Sequence, residues 1–147
     1  MVITGMTKLA VKTHVEVDLL AAGYPCVCLS SLNVSPKSFE DAEFATGSGY
    51  FAVMGYIKRN KPPLVALENV RGMLQKRKQD NGARPIDIQN KRMHKLGYES
   101  SYTLANTCEY GLPQSRNRVW MLYVRKDQLK TNQATLESDM KSFYLCF

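Results

Sequence analysis

The chain has little of what membrane, secreted and metal-binding proteins need. No apolar run approaches the roughly 20 residues that a transmembrane helix requires. The first residues, Met1 to Met6, lack the basic flank and long apolar stretch of a signal peptide. There are only two histidines, and Cys26-x-Cys28 does not have the usual spacing of zinc ligands. Internal repeats are also missing. We therefore expect a protein that is not secreted, does not enter a membrane and holds no metal.

The composition is that of a globular protein with a basic surface. A chain of 147 residues suffices for one domain with a core of moderate size, and 44% hydrophobic with 22% charged residues argues against disorder. The four cysteines fit free thiols in a reducing compartment, because no export signal accompanies them. Lys and Arg number 20 against 13 Asp and Glu, and the net charge of +7 favours an anionic partner such as a nucleic acid.

Apolar runs alternate with helix-like stretches along the chain. Strands are predicted at Val15–Ala22, Leu64–Leu67, Tyr98–Ala105 and Val119–Val124, and helices at Tyr50–Asn60 and Ile86–Leu96. The last two strands are close in sequence and should pair as an antiparallel hairpin. This order predicts an α/β fold whose mixed sheet has parallel strands, one reversed strand and a terminal antiparallel hairpin.

Two connecting segments are predicted to lack regular structure. Val27–Gly49 is rich in Ser, Asn, Pro and Gly, and at that length we expect a functional lid. Gln75–Pro85 is predicted to be a solvated loop, with the Lys76-Arg77-Lys78 run facing solvent. After Arg125 the chain becomes polar.

Three short polar motifs follow one another in fixed order, each attached to a strand-like run. They are Gly23-Tyr24-Pro25-Cys26, Glu68-Asn69-Val70 and Gln114-Ser115-Arg116-Asn117-Arg118. Each is common by chance, so their joint order and their placement at strand ends carry the information. In open sheets of this kind, ligands bind beyond the carboxyl ends of the strands, and the first two motifs are predicted to lie there.

These motifs resemble those of the cytosine C5 methyltransferases of nucleic acids. The matching segments are Ala22–Ser30, Leu67–Gly72 and Tyr110–Val119, within a resemblance that covers Val15 to Val124. It implies a Rossmann-like S-adenosylmethionine-dependent methyltransferase fold, present in part. Val27 stands where the family usually has Gln.

Three further features of the family have no match: the Gly-rich cofactor loop, the target-recognition region and the closing Asn-bearing motif. The sequence is therefore expected to be the central catalytic segment, with the missing motifs lost by truncation or supplied by another chain. The expected layout is an N-terminal extension over 1–14, a partial catalytic domain over 15–125 and a polar tail over 126–147.

The resemblance implies a role for each motif. Cys26 is the expected nucleophile, because a thiolate is the best side chain for covalent addition at cytosine C6. Glu68 would share or donate a proton at N3 if burial favours its protonated form. Arg118 would hold O2 and offset the charge that develops there. The alternative interpretations are a buried structural cysteine, a strand-end glutamate in a surface ion pair, and a basic strand start that faces solvent.

Three further residues complete the predicted substrate site. Asn69 would fix the backbone of the nucleophile loop or bind the polar edge of the base. Arg116 would support the lid and backbone, and Gln114 is expected to act structurally.

The methyl donor implied by the resemblance is S-adenosyl-L-methionine, with Pro25 near the donor and Tyr50 beside its adenine. The substrate implied is DNA, whose target base must be flipped out of the stack to reach these groups. Two alternatives stay open: an RNA cytosine C5 methyltransferase, and a catalytically inactive nucleic-acid-binding fragment. The expected compartment is the nucleus of a eukaryote or otherwise the cytoplasm.

Overall fold

The computed structural model describes residues 16–25, 29, 37–41, 45–111 and 113–129, with the backbone alone for 45–48. Within these ranges the strands and helices are β1 Leu19–Gly23, α1 Ala45–Asn60, β2 Leu64–Val70, α2 Pro85–Lys95, β3 Tyr98–Asn106 and β4 Asn117–Arg125. Short 3₁₀ turns occupy Arg71–Leu74, Lys78–Asp80, Thr107–Tyr110 and Lys126–Gln128. The predicted alternation of strands and helices is confirmed.

The described strands form a mixed sheet in the order β1-β2-β4-β3. β1 and β2 are parallel, whereas β4 is antiparallel to both of its neighbours, β2 and β3. The predicted terminal hairpin is therefore present, and β4 is the reversed strand. Gly23 aligns with Glu68, and Val70 aligns with Arg118. This register brings the carboxyl ends of β1 and β2 to the same edge as the amino end of β4.

The main core lies between one face of the sheet and the two helices. Alternate residues of β2 point into it: Val65, Leu67 and Asn69 are buried. Helix α1 contributes its buried stripe Tyr50, Val53, Met54, Tyr56 and Ile57, and helix α2 contributes Ile86, Gln89 and Met93. The opposite sheet face carries a smaller apolar cluster, in which Leu122 contacts Leu64, Ala66, Val124 and Leu129.

The helix ends follow local sequence chemistry. Helix α1 ends at Asn60, ahead of Pro62-Pro63, after the basic last-turn residues Lys58 and Arg59. Helix α2 begins with Pro85, whose fixed φ suits the first turn. Beyond α2, Gly97 has a φ of 90°, a conformation that L side chains rarely adopt.

Several predicted boundaries are wrong. β1 begins at Leu19 rather than Val15 within the described residues, and β2 continues past Leu67 to Val70 because β4 pairs with it along that length. Helix α1 begins at Ala45, so 45–49 do not belong to the predicted lid. The rest of that lid lies outside the described residues, apart from Leu29 and 37–41.

The predicted solvated loop after β2 is wrong at its centre, where Asp80 is buried. The residue is 7% exposed and its side chain has no exposed surface; its Oδ1 accepts hydrogen bonds from Ser38 Oγ at 2.7 Å and from the Phe39 backbone N–H at 2.8 Å. Buried polar groups keep such partners because an unsatisfied one is costly.

The same contact corrects the expectation that the whole Lys76-Arg77-Lys78 run faces solvent. The Arg77 side chain is only 10% exposed; it donates to the Lys37 carbonyl at 2.9 Å and lies 3.5 Å from the Asp80 carboxylate. We call the Asp80–Arg77 pair with its bonds to 37–39 the Asp80 anchor.

Neither helix of the described residues is long and apolar enough to cross a membrane. Those same residues contain no cluster of three or more His, Cys, Asp or Glu placed to hold a metal ion.

Candidate active site

The two charged residues predicted to be catalytic, Glu68 and Arg118, meet at the strand-end edge. Arg118 Nε lies 2.8 Å from Glu68 Oε1, and the two side chains are 24% and 27% exposed. The pairing of β2 with the amino end of β4 explains the contact, because Arg118 aligns with Val70, which lies two residues after Glu68 and on the same face of the sheet. The structure thus gives Glu68 an arginine partner and partial exposure.

The first residue of the Gly23-Tyr24-Pro25-Cys26 motif lies next to this ion pair. Gly23 is the last residue of β1, and a Cβ added there would lie 3.2 Å from Glu68 Oε2. A side chain at this position would therefore press against the carboxylate. The close approach places the start of the Gly23-Tyr24-Pro25 segment beside Glu68.

Asn69 fixes the backbone of that segment. Its side chain is 2% exposed, its Nδ2 donates to the Tyr24 carbonyl at 3.2 Å, and its Oδ1 accepts from the Val70 N–H at 2.8 Å. Of the two roles predicted for Asn69, the geometry supports the backbone role. Both ends of the amide already bond within the protein.

Cys26 lies outside the described residues, as do Val27 and Cys28. The structure describes the residues on either side, Pro25 and Leu29. Leu29 is buried, and a Cβ on Gly72 would lie 2.0 Å from its carbonyl oxygen. Gly72 is thus required for this close approach of two backbones. Before Cys26, the chain is therefore bonded to Asn69 of β2, and after it the Leu29 backbone lies close to Gly72 in the turn that follows β2.

A cavity of about 500 Å³ opens beside Arg118, within the range of volumes typical of ligand pockets. It is lined by Leu29, Val70, Arg71, Gly72, Gln75, Asn117 and Arg118. Sequence reasoning missed Arg71 and Gln75 as lining residues, although Arg71 follows the Glu68-Asn69-Val70 motif directly. With two arginines in its wall, the cavity suits a polar ligand with hydrogen-bond acceptors.

The other predicted substrate residues lie at the exposed approach to β4. The Arg116 N–H donates to Asn106 Oδ1 at 3.0 Å, and its carbonyl accepts from the Thr107 N–H at 3.2 Å. The Gln114 carbonyl accepts a hydrogen bond from the Thr107 hydroxyl. These contacts fix the backbone, while the side chains of Gln114 and Arg116 are exposed. Their substrate-binding roles stay predictions.

The two predicted cofactor contacts differ in exposure. Pro25 is exposed and packs on Gly49, where an added Cβ would lie 2.6 Å from Pro25 Cδ. Tyr50 has no exposed surface; its ring centroid lies 4.5 Å from that of Phe39, and burial raises its pKa to about 12. This burial gives no support to a contact between Tyr50 and an adenine. The tyrosine instead belongs to the core.

Sequence reasoning also missed a buried hydrogen-bonded contact between the first motif and the core. The Tyr24 hydroxyl donates to Gln89 Oε1 at 2.5 Å, and Gln89 Nε2 donates to the Tyr123 hydroxyl at 2.7 Å. The available signal was a glutamine at a core-facing position of helix α2.

The geometry agrees with the comparison of the sequence with known families. Residues 1–144 match the family described as C-5 cytosine-specific DNA methylase. The chain belongs to this family. The resemblance to the cytosine C5 methyltransferases is confirmed, and so is the expected α/β fold with a mixed sheet.

Curated relatives of this chain support the same family. The type II methyltransferase M.HhaI of Haemophilus parahaemolyticus is 31% identical over 122 residues, which is 83% of this chain and 35% of that protein. The type II methyltransferase M.BanI of Aneurinibacillus aneurinilyticus is 35% identical over 107 residues, 73% of this chain and 23% of that protein. The chain spans about a third of the length of the first curated relatives it matches.

Solved structures share the fold of this chain. The Dnmt2 methyltransferase of S. pombe superposes with a TM-score of 0.53 at 15% identity, over 78% of this chain and 32% of that one. A putative DNA modification methyltransferase encoded within an E. coli prophage gives a TM-score of 0.56 at 21% identity, over 86% and 32%.

Proposed function

We propose that this chain carries the catalytic residues for transfer of a methyl group to C5 of cytosine in DNA. The observation that supports it most is the Glu68–Arg118 pair, held at 2.8 Å beside the start of the Gly23-Tyr24-Pro25-Cys26 segment and next to a cavity. N3 and O2 are neighbours on one edge of cytosine, as the carboxylate and guanidinium are neighbours here. Membership of the methylase family supports the same reaction.

The proposed reaction begins with the Cys26 thiolate. Its sulfur bonds to C6 of the flipped-out base, and electron density moves toward N3 and O2. Arg118 stabilises the density at O2, and Glu68 shares a proton at N3. C5, now enamine-like, becomes nucleophilic enough to accept the methyl group, whose bond to the donor's sulfonium sulfur would break to leave a neutral thioether. A general base then removes the C5 proton, which allows the C6–S bond to break and the thiolate to leave.

The proposed methyl donor is S-adenosyl-L-methionine, which supplies an electrophilic methyl group when bound. Pro25 is exposed at the strand-end edge and available for contact, whereas Tyr50 is buried. The chain's own contribution to the step is to orient the base and to exclude water from it. Action on genomic DNA implies the nucleus of a eukaryote or otherwise the cytoplasm.

The covalent step can be tested with a chimera in which this chain replaces the matching segment of the H. parahaemolyticus relative. DNA carrying 5-fluorocytosine should trap a protein–DNA adduct, because fluorine at C5 cannot leave as a proton. We expect the adduct to map to Cys26 and to be abolished by Cys26→Ser.

The matched control is Cys28→Ser, which should trap as the parent does. An adduct on Cys28, or one that survives Cys26→Ser, would contradict the assignment. Substrates of the same sequence made as DNA and as RNA separate the two nucleic-acid alternatives, and preferential trapping of RNA would favour the second. A chimera that binds DNA but traps neither would favour an inactive binding fragment.

A further inference from the structure

Gln89 occupies a position in the core where an apolar residue would usually stand. Its side chain has no exposed surface, in the middle of helix α2. A buried amide is costly unless its groups have hydrogen-bond partners. Gln89 meets that condition with the Tyr24 hydroxyl at 2.5 Å and the Tyr123 hydroxyl at 2.7 Å. The Tyr123 hydroxyl in turn donates to Asn90 Oδ1 at 2.9 Å.

These bonds form a chain that joins three elements. Tyr24 follows β1, Gln89 lies in α2 and Tyr123 lies in β4. Each hydroxyl and the amide donate in one direction along the chain, from Tyr24 to Gln89 and from Gln89 through Tyr123 to Asn90. Directional networks of this kind specify a single arrangement of the groups they join, which apolar packing does less sharply.

Tyr24 is held at both its side chain and its backbone. Its ring packs near Phe39 and Tyr50, with centroids 6.4 and 5.7 Å apart, and would still pack there without its hydroxyl. Its carbonyl accepts from Asn69 Nδ2 at 3.2 Å. Packing therefore favours the position of the ring, and the hydrogen bond from the hydroxyl to Gln89 fixes how far the ring enters the core.

We propose that the Tyr24–Gln89–Tyr123 chain positions the Gly23–Pro25 segment, from which Cys26 follows, against the Glu68–Arg118 pair. Gln89 is then a positioning residue for the reaction, acting through Tyr24. This inference rests on the proposed function. Its physical basis is that the segment lies close to Glu68: a Cβ added at Gly23 would lie only 3.2 Å from Glu68 Oε2. A misplacement of about 1 Å can lower a reaction rate about 100-fold.

The competing explanation is that the chain only stabilises the core. The two explanations differ for a paired substitution. Tyr24→Phe leaves the Gln89 oxygen buried without this partner and should destabilise the protein. Adding Gln89→Leu removes that unpaired oxygen and should restore part of the lost stability, because the Tyr123 hydroxyl loses its donor but keeps its own bond to Asn90 Oδ1. A merely structural role predicts that reactivity recovers with stability in the double variant, whereas positioning predicts that it does not.

The first measurement uses the 147-residue chain itself. Thiol alkylation by iodoacetamide is followed against pH for each cysteine by peptide fragmentation, with the exposed Cys108 as internal reference. In Tyr24→Phe and in the double variant, we expect the alkylation midpoint of Cys26 to shift from its parental value, because the Tyr24 side chain that precedes it has lost its bond to Gln89 and thiol reactivity depends on position. The Cys108 profile should not move. Urea unfolding of each variant gives the stability for comparison.

The second measurement uses the chimera described above. We expect Tyr24→Phe and the double variant to form the 5-fluorocytosine adduct about 10- to 100-fold more slowly, with unchanged affinity for DNA. Tyr102→Phe, which removes the hydroxyl of an exposed tyrosine on β3, should match the parent.

The outcomes separate the two proposals. A Cys26 profile and adduct rate that stay at parental values in Tyr24→Phe, or recover with stability in the double variant, would overturn the positioning role. A parent chimera that forms no adduct would contradict the proposed function, while the alkylation profiles would still decide whether the chain positions Cys26.

Discussion

At the scale of single residues, Arg118 is the group whose geometry ties the site together. Its guanidinium lies 2.8 Å from Glu68, lines the cavity, and donates through Nη1 to the Asn117 carbonyl at 2.9 Å. In the chimera, we expect Arg118→Ala to lower the single-turnover rate by about 10²- to 10³-fold, as for the loss of one donor to a developing oxyanion. Arg118→Lys should restore little, because an ammonium lacks the planar fork.

Suitable control residues for that prediction are Lys76 and Lys78, which are exposed. Their replacement by Ala should change mainly the affinity for DNA and its dependence on salt. Near-parental turnover in Arg118→Ala, combined with loss of turnover in the lysine variants, would mean that the base binds elsewhere.

The sequence predicted part of this site and missed part of it, for identifiable reasons. Glu68 and Arg118 belong to motifs at strand ends, so strand order alone brings them together. Tyr24 and Gln89 are 65 residues apart, and nothing local indicates that they meet. The burial of Tyr50 was also missed, because an aromatic on an amphipathic helix fits a core position and a ligand contact equally well.

At the scale of elements, the Asp80 anchor holds 37–39 to the turn after β2. Asp80 accepts two hydrogen bonds through Oδ1 and lies beside Arg77. We expect Asp80→Ala to lower the free energy of unfolding by about 1–3 kcal/mol, because it leaves buried donors without their acceptor. Urea denaturation of the 147-residue chain, followed by circular dichroism, measures the change.

Asp87→Ala provides the comparison for that prediction. Asp87 pairs with Arg84 at 2.7 Å, but the two side chains are 48% and 36% exposed. Exposed ion pairs contribute about 0–1 kcal/mol. Equal destabilisation by the two substitutions would mean that the anchor adds no more than a surface pair does.

The elements themselves were largely predictable, and their ends were not. Periodicity indicated α2 to within a residue at each end, because Pro85 and Gly97 mark its limits. The end of β2 depends on pairing with β4, which lies about 50 residues away along the chain. The turn at Asp80 was assigned to solvent because its charges are typical of a surface. Their burial depends on 37–39, a segment distant in sequence.

At the scale of the whole molecule, tyrosines carry much of the core that supports the site. Tyr24, Tyr50, Tyr56, Tyr98 and Tyr123 are all buried. Burial raises the pKa of Tyr50 and that of Tyr98 to about 12 each, from an ordinary value of 10.0. The folded state therefore keeps these hydroxyls protonated at a pH where the unfolded chain has released the protons. The stability linked to them is complete below pH 10 and is lost as the pH rises toward 12.

The alkaline loss of stability can be assigned to one of these tyrosines by Tyr50→Phe, which keeps the ring and removes the titrating group. Between pH 9 and pH 11, we expect the variant to lose about 1 kcal/mol less unfolding free energy than the parent, as a two-unit difference in pKa implies. Urea denaturation at a series of pH values measures both curves, and the comparison cancels the titration of lysines, which the two proteins share. If Tyr50→Phe runs parallel to the parent up to pH 11, the Tyr50 hydroxyl ionises in the folded protein as readily as in the unfolded chain.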